Sequence, residues 1–201
     1  MPNHFTEEVV KLYIEERISG SDIAKRCGSY PKKIYRILAK NGIKRRSAAL
    51  QNEIRFKKTP LSFEFKSPRT KKERELMIAA LMIYLGEGAK TGVTVDVANT
   101  DSGVHKVFLK FLREICGVKE EKLRFYLYCF ENQDPKELIQ FWSKTLNVRI
   151  EAFTKPYIRK STTHNRAQRK PYGVLHTRYN DKRLLEKILS LCSNLVADLS
   201  A

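Results

Sequence analysis

Glu87 stands between Gly86 and Gly88, directly after an apolar run over residues 76–85. If that run is a buried helix, the carboxylate meets the negative pole of the helix dipole, an unfavourable placement unless a cation is near. A metal ion is one answer. Mg²⁺ binds through one or two carboxylates together with phosphate oxygens, and flanking glycines let backbone and ligand approach closely. A second stretch, residues 152–180, has no acidic residue and carries Lys155, Arg159, Lys160, His164, Arg166, Arg169, Lys170, His176 and Arg178, with Tyr157 and Tyr172 among them. Cations interleaved with aromatics suit phosphate contact, against the plainer alternative of a solvated loop.

Lys and Arg total 39 against 22 acidic residues, a formal charge of +17. That balance points to a polyanionic partner, nucleic acid first. A membrane surface would need a basic amphipathic helix with a lipid-facing stripe, which the sequence does not offer, and the run at 76–85 falls well short of the ~20 residues that span a bilayer. The cysteines, Cys27, Cys116, Cys129 and Cys192, are widely spaced within apolar patterns and form no zinc-like pair. They read as buried thiols, and with no secretory signal peptide the expected compartment is the cytoplasm.

These groups need elements to hold them. Val9, Val10, Leu12, Tyr13 and Ile14 predict a first helix over 7–17 with Thr6 as its N-cap. Ile23, Ala24 and Cys27 predict a second, ended by Gly28, and small Ala24 is where a third helix could approach closely. Pro31 suits the first turn of that third helix, with Ile34, Ile37 and Leu38 facing inward and Asn41-Gly42 as the stop. Residues 18–43, ISGSDIAKRCGSYPKKIYRILAKNGI, resemble the helix-turn-helix of resolvase and transposase families. The resemblance implies a recognition helix in the major groove, with Ser29, Tyr30, Lys32, Lys33 and Arg36 facing DNA and Lys44, Arg45 and Arg46 gripping phosphates or a minor groove. A three-helix knob with a solvated basic face is the bland alternative.

Residues 47–72 have weak periodicity, several cations and two prolines, and read as a basic linker with some helix at its start and an extended stretch near 61–65. A helix then begins at Lys71. Residues 80–88, ALMIYLGEG, resemble the motif of the LAGLIDADG homing endonucleases position by position, with the wider resemblance running over 73–192. It implies that Glu87 is the metal-binding catalytic acid, that the Gly86 carbonyl shares the Mg²⁺, and that the motif helix pairs with its twin across a homodimer. Met82 departs from the small residue the family often has there for close pairing. By the same resemblance Arg178 stands near the scissile phosphate, with Lys155 as the other cation able to shield its charge, and Asp101 stands near the attacking water. For Asp101, capping the following helix is the commoner role.

Beyond the motif the sequence predicts a strand at 93–97, a helix at 102–116, a strand at 122–130, a helix at 135–146, a basic strand and loop region at 150–179 and a last helix at 181–191. Leu123, Phe125, Leu127 and Cys129 alternate with Arg124, Tyr126 and Tyr128, one face for a core and one for DNA. The expected fold class is α+β: a helix-turn-helix domain over 1–46, the linker over 47–72, and an αββαββα unit over 73–201 with an antiparallel DNA-binding saddle. The expected function is sequence-specific binding of double-stranded DNA with Mg²⁺-dependent phosphodiester hydrolysis. A cleavage-deficient transcription regulator on the same scaffold is the main alternative. An RNA-binding splicing factor and a ribosome-associated protein also remain open.

Overall fold

The computed structural model describes residues 4–160 and 171–201. Among them the chain forms eight α-helices and four strands, an α+β architecture. It divides into two compact units, Met1–Pro60 and Leu61–Ala201.

The first unit contains α1 (His4–Ile14), α2 (Gly20–Arg26), α3 (Pro31–Lys40) and α4 (Ala48–Lys58). Val9, Leu12 and Tyr13, Ile23 and Ala24, and Ile34 and Leu38 recur at helical spacing, and together they build one core under α1, α2 and α3. Ser19 caps α2, accepting from the Asp22 amide at 3.1 Å and donating to the Asp22 carboxylate at 2.5 Å. Gly28, with φ +60, turns the chain out of α2, a conformation that costs a glycine little. A second glycine sets the approach of α2 to α3: a Cβ at Gly20 would lie 2.6 Å from the Tyr35 ring. Ala24, where the sequence put that approach, is buried as well. Because α1 begins at His4, Thr6 lies inside the helix and is not its N-cap.

The sequence read residues 47–72 as a linker, but their first part is α4, which belongs to the first unit. Ser47 caps it, Ile54 is buried, and Lys58 donates to the Glu16 carbonyl. Residues 61–66 instead belong to the second unit, where the Lys66 amide donates to the Ile115 carbonyl at 2.7 Å and the Glu64 amide to the Cys116 carbonyl at 3.1 Å. The buried Ser62 hydroxyl donates to Asp181 at 2.7 Å, and the Tyr179 hydroxyl donates to the Ser62 carbonyl. Hydrogen bonding to buried polar groups and the packing of Phe63 and Phe65 on the core hold this segment.

The second unit continues with α5 (Lys71–Glu87), β1 (Val95–Asn99), α6 (Ser102–Glu114), β2 (Leu123–Phe130), α7 (Pro135–Leu146), β3 (Tyr157–Arg159), β4 (Val174–Tyr179) and α8 (Lys182–Ser200). A Thr70–Glu73 capping box starts α5. The sheet order is β1-β4-β2-β3, antiparallel except for the parallel β2–β3 pair. Inward residues of three strands, including Val95, Val97, Phe125, Leu127, Leu175 and Tyr179, meet Leu81, Tyr84, Phe108, Trp142 and Ile188 from the four helices. Burying side chains of this size contributes about 1.5–3 kcal/mol each. Thr177, the polar residue on that face, is satisfied by His105 Nδ1 at 2.8 Å.

Two expectations for this unit change. The sequence predicted an antiparallel sheet, but it is mixed, because α7 carries the chain from the end of β2 back to its start and β3 therefore runs parallel to β2. The sequence also predicted helix, two strands, helix, two strands, helix. The described order is helix, strand, helix, strand, helix, two strands, helix. A first strand after α5 is reduced to the single bridge Gly88–Val97, since residues 89–94 turn through Gly92 at φ +95 instead of extending. No helix among the described residues is long and apolar enough to cross a membrane.

Candidate nucleic-acid interface

Among the described residues, the four α-helices of the second unit lie on one side of its sheet and none lies on the other. Alternation along the strands sends Asp96 and Ala98 of β1, His176 and Arg178 of β4, and Arg124, Tyr126, Tyr128 and Phe130 of β2 to the bare side. Register brings Tyr157 beside Tyr128 and Arg159 beside Phe130 on the same face.

The rings on this face touch in sequence. Tyr126 and Tyr128 meet edge to face at 5.0 Å, Tyr128 and Tyr157 lie 5.1 Å apart, and His176 packs on Tyr128 at 4.9 Å. At the β1 side, Asp96 accepts from Arg178 Nε at 2.8 Å and lies 3.0 Å from His176 Nδ1, while the Arg178 guanidinium sits 4.8 Å from the Tyr126 ring centre. Burial alone would raise the Asp96 carboxyl, but the His176 hydrogen bond and the Arg178 charge outweigh it and hold the carboxyl below its ordinary value. Beside this cluster a depression of about 370 Å³ is lined by Thr94, Asp96, Arg124, Thr154, Arg178 and Asn180, among others.

Arg178 is therefore an ion-paired residue of the sheet, and Nε is committed to Asp96. That pairing disfavours its expected role as a cation beside a scissile phosphate. Arg124 is exposed, with Nη1 donating to the Glu121 and Leu123 carbonyls at 2.7 Å. Lys155, Arg159 and Lys160 are exposed. Arg166, Arg169 and Lys170 lie outside the described residues.

Glu87 is the last residue of α5 and exposed, and its carboxylate makes no hydrogen bond or ion pair among the described residues. Gly86 is exposed with open space where a side chain would stand, whereas a Cβ at Gly88 would lie 2.5 Å from the Tyr84 ring. Tyr84 donates to the Ala89 carbonyl at 2.6 Å, and burial pushes its pKa to about 12, so it stays a donor. Lys90, which sequence reasoning passed over, donates to the Tyr84 carbonyl and, at 2.7 Å, to the Gly88 carbonyl. It supplies a cation at the end of α5, so the helix dipole does not by itself demand a metal. No group of three or more His, Cys, Asp or Glu able to hold a metal occurs among the described residues.

Asp101 caps α6, accepting from the Gly103 amide at 2.6 Å, and has no hydrogen bond or ion pair to Glu87. Capping is the commoner of the two roles the sequence offers for it.

In the first unit α3 presents Lys32, Lys33 and Arg36 on its exposed side, and Tyr30 at its N-cap is 55% exposed. The Ser29 hydroxyl is different: it is buried without a hydrogen-bond partner, so it cannot face DNA as expected. Lys44 is exposed, and the Arg45 guanidinium lies 4.5 Å from the Tyr35 ring centre. Arg46, expected to grip phosphate, instead donates to the Tyr13 carbonyl and to Gln51 at 2.9 Å and stacks on the Tyr13 ring at 3.8 Å. It fastens α4 to α1. Three of the four cysteines are buried and all four are free thiols, Cys27 being partly exposed.

No protein-family model, curated protein or solved structure matches the chain.

Proposed function

We propose that the chain is a sequence-selective protein of double-stranded DNA, organised as a homing-type endonuclease that hydrolyses phosphodiester bonds with Mg²⁺. The observation that carries the binding half is the sheet face on which Arg124, Arg178, His176 and the Tyr126–Tyr128–Tyr157 rings adjoin, while the described helices of the second unit pack behind it. A face of hydrogen-bond donors and flat rings offers both phosphate and base-edge contacts. The first unit adds a second basic surface through Lys32, Lys33 and Arg36 on α3, in the role of a helix-turn-helix recognition helix.

The hydrolytic half rests on α5. Its exposed end holds Glu87, and the same helix leaves Ile78 at 43% and Met82 at 50% exposure, an apolar stripe suited to a twin helix. In that pairing each chain brings one carboxylate and the Gly86 carbonyl, a donor set that fits Mg²⁺ because this ion keeps water and phosphate oxygens as further ligands. The ion would supply polarisation of the phosphate and a more acidic water. Lys155, exposed and unpaired with any acid among the described residues, is the cation available to shield developing charge.

A cleavage-deficient transcription regulator is the second reading, and Lys90 favours it: with that ammonium at the end of α5, the exposed Glu87 has no electrostatic need of a metal. One experiment separates them. Supercoiled plasmids carrying a randomised target are incubated with Mg²⁺ and either the wild-type chain or Glu87→Gln. Cleavage by the wild type, lost in the variant while binding survives, is the expected result. Selective binding without cleavage by either protein would establish the regulator.

A further inference from the structure

Arg178 is held on two sides, by Asp96 and by the Tyr126 ring, with His176 adjoining. Its Nε donates to Asp96 at 2.8 Å, its plane lies against the Tyr126 ring, and Nη2 is 3.4 Å from His176 Nδ1, itself 3.0 Å from the same carboxylate. An arginine fastened through Nε keeps the outer N–H groups of its fork in a fixed plane, here at the depression beside β1. Such a fork matches two adjacent acceptors, found on a phosphate, on a carboxylate and on the major-groove edge of guanine.

Charge separates these partners. Arg178 and Asp96 together carry no net charge, and the Asp96 carboxylate would oppose a second anion against the same fork. A neutral acceptor pair meets no such opposition.

We propose that Arg178 is a guanine-reading side chain, oriented by Asp96 and Tyr126 so that its outer N–H groups meet O6 and N7 of one guanine in the major groove. The inference rests on the duplex-DNA reading above. Asp96 is then a positioning residue, and the pair reads sequence and does not take part in hydrolysis.

The test is a protein-by-base cycle. Wild type selects its preferred duplexes from a randomised library. Binding of the wild type, Arg178→Lys and Asp96→Asn is then measured on the selected duplex and on duplexes with each invariant guanine replaced in turn. Lysine keeps the charge and loses the fork, so Arg178→Lys is expected to lose about tenfold to hundredfold on the selected duplex and almost nothing once the responsible guanine is replaced. Asp96→Asn is expected to erode the preference at the same position. Circular dichroism checks that both variants are folded, and Arg178→Lys carries the test if Asp96→Asn is not. Equal weakening on all duplexes, or no effect at any guanine, would overturn the inference and leave DNA binding standing. Failure of the wild type to select any duplex would overturn both.

Discussion

The Asp96 carboxylate is the one acid on a strand face otherwise given to cations, rings and small residues, and its environment has a pH signature. Burial opposes its charge, but His176 and Arg178 lower its folded pKa below the ordinary 3.8. A depressed folded pKa contributes stability that is fully present above the unfolded value and is lost as pH falls through the folded one. Urea titrations of the wild type should show that loss below about pH 4, and Asp96→Asn should flatten it. At neutral pH Asp96→Asn should cost about 1–3 kcal/mol, since it weakens charged hydrogen bonds. An acid profile identical in wild type and variant would show that the pair adds no stability. None of this was legible beforehand, because Asp96 and Arg178 stand 82 residues apart and only strand register joins them. The inward turn of Arg46 was hidden for a related reason: a basic residue after a helix looks the same in sequence whether it faces a phosphate or, as here, the carbonyl of Tyr13, 33 residues away.

Among the elements, those with local signals were read best. The alternation of β2 assigned Leu123, Phe125, Leu127 and Cys129 to the core as the structure has them, and α5 begins at the expected Lys71. Pro135 after Asp134 opens α7. What escaped were consequences of distant packing: the parallel pairing of β3, the capping of α5 by Lys90, and the place of α4 in the first unit. The stripe on α5 gives a prediction at this scale. If Ile78 and Met82 pair two copies, sedimentation should find the wild-type chain dimeric at micromolar concentration. Met82→Arg should shift it to monomer by placing charges face to face in an apolar seam. A wild-type chain that stays monomeric would remove the basis for cutting both strands from one complex.

Across the whole molecule, +17 of formal charge accompanies two separate compact units, each with its own basic surface. Counterion release makes such binding steeply salt-dependent, and cations from both units should add to the slope of log K against log salt. Replacing Lys33 and Arg36 by alanine should therefore lower that slope by about one for each phosphate no longer neutralised, while leaving selectivity at the sheet unchanged. Selective recognition of duplex DNA is the property on which the proposed function depends. Equilibrium binding at fixed salt, comparing a duplex selected from a random library with a scrambled duplex and a single-stranded RNA, tests it most directly. The selected duplex is expected to bind about 10³-fold or more tightly than the scrambled one and more tightly than the RNA. Equal affinity for both duplexes, or tighter binding of the RNA on the exposed rings of the sheet, would contradict it.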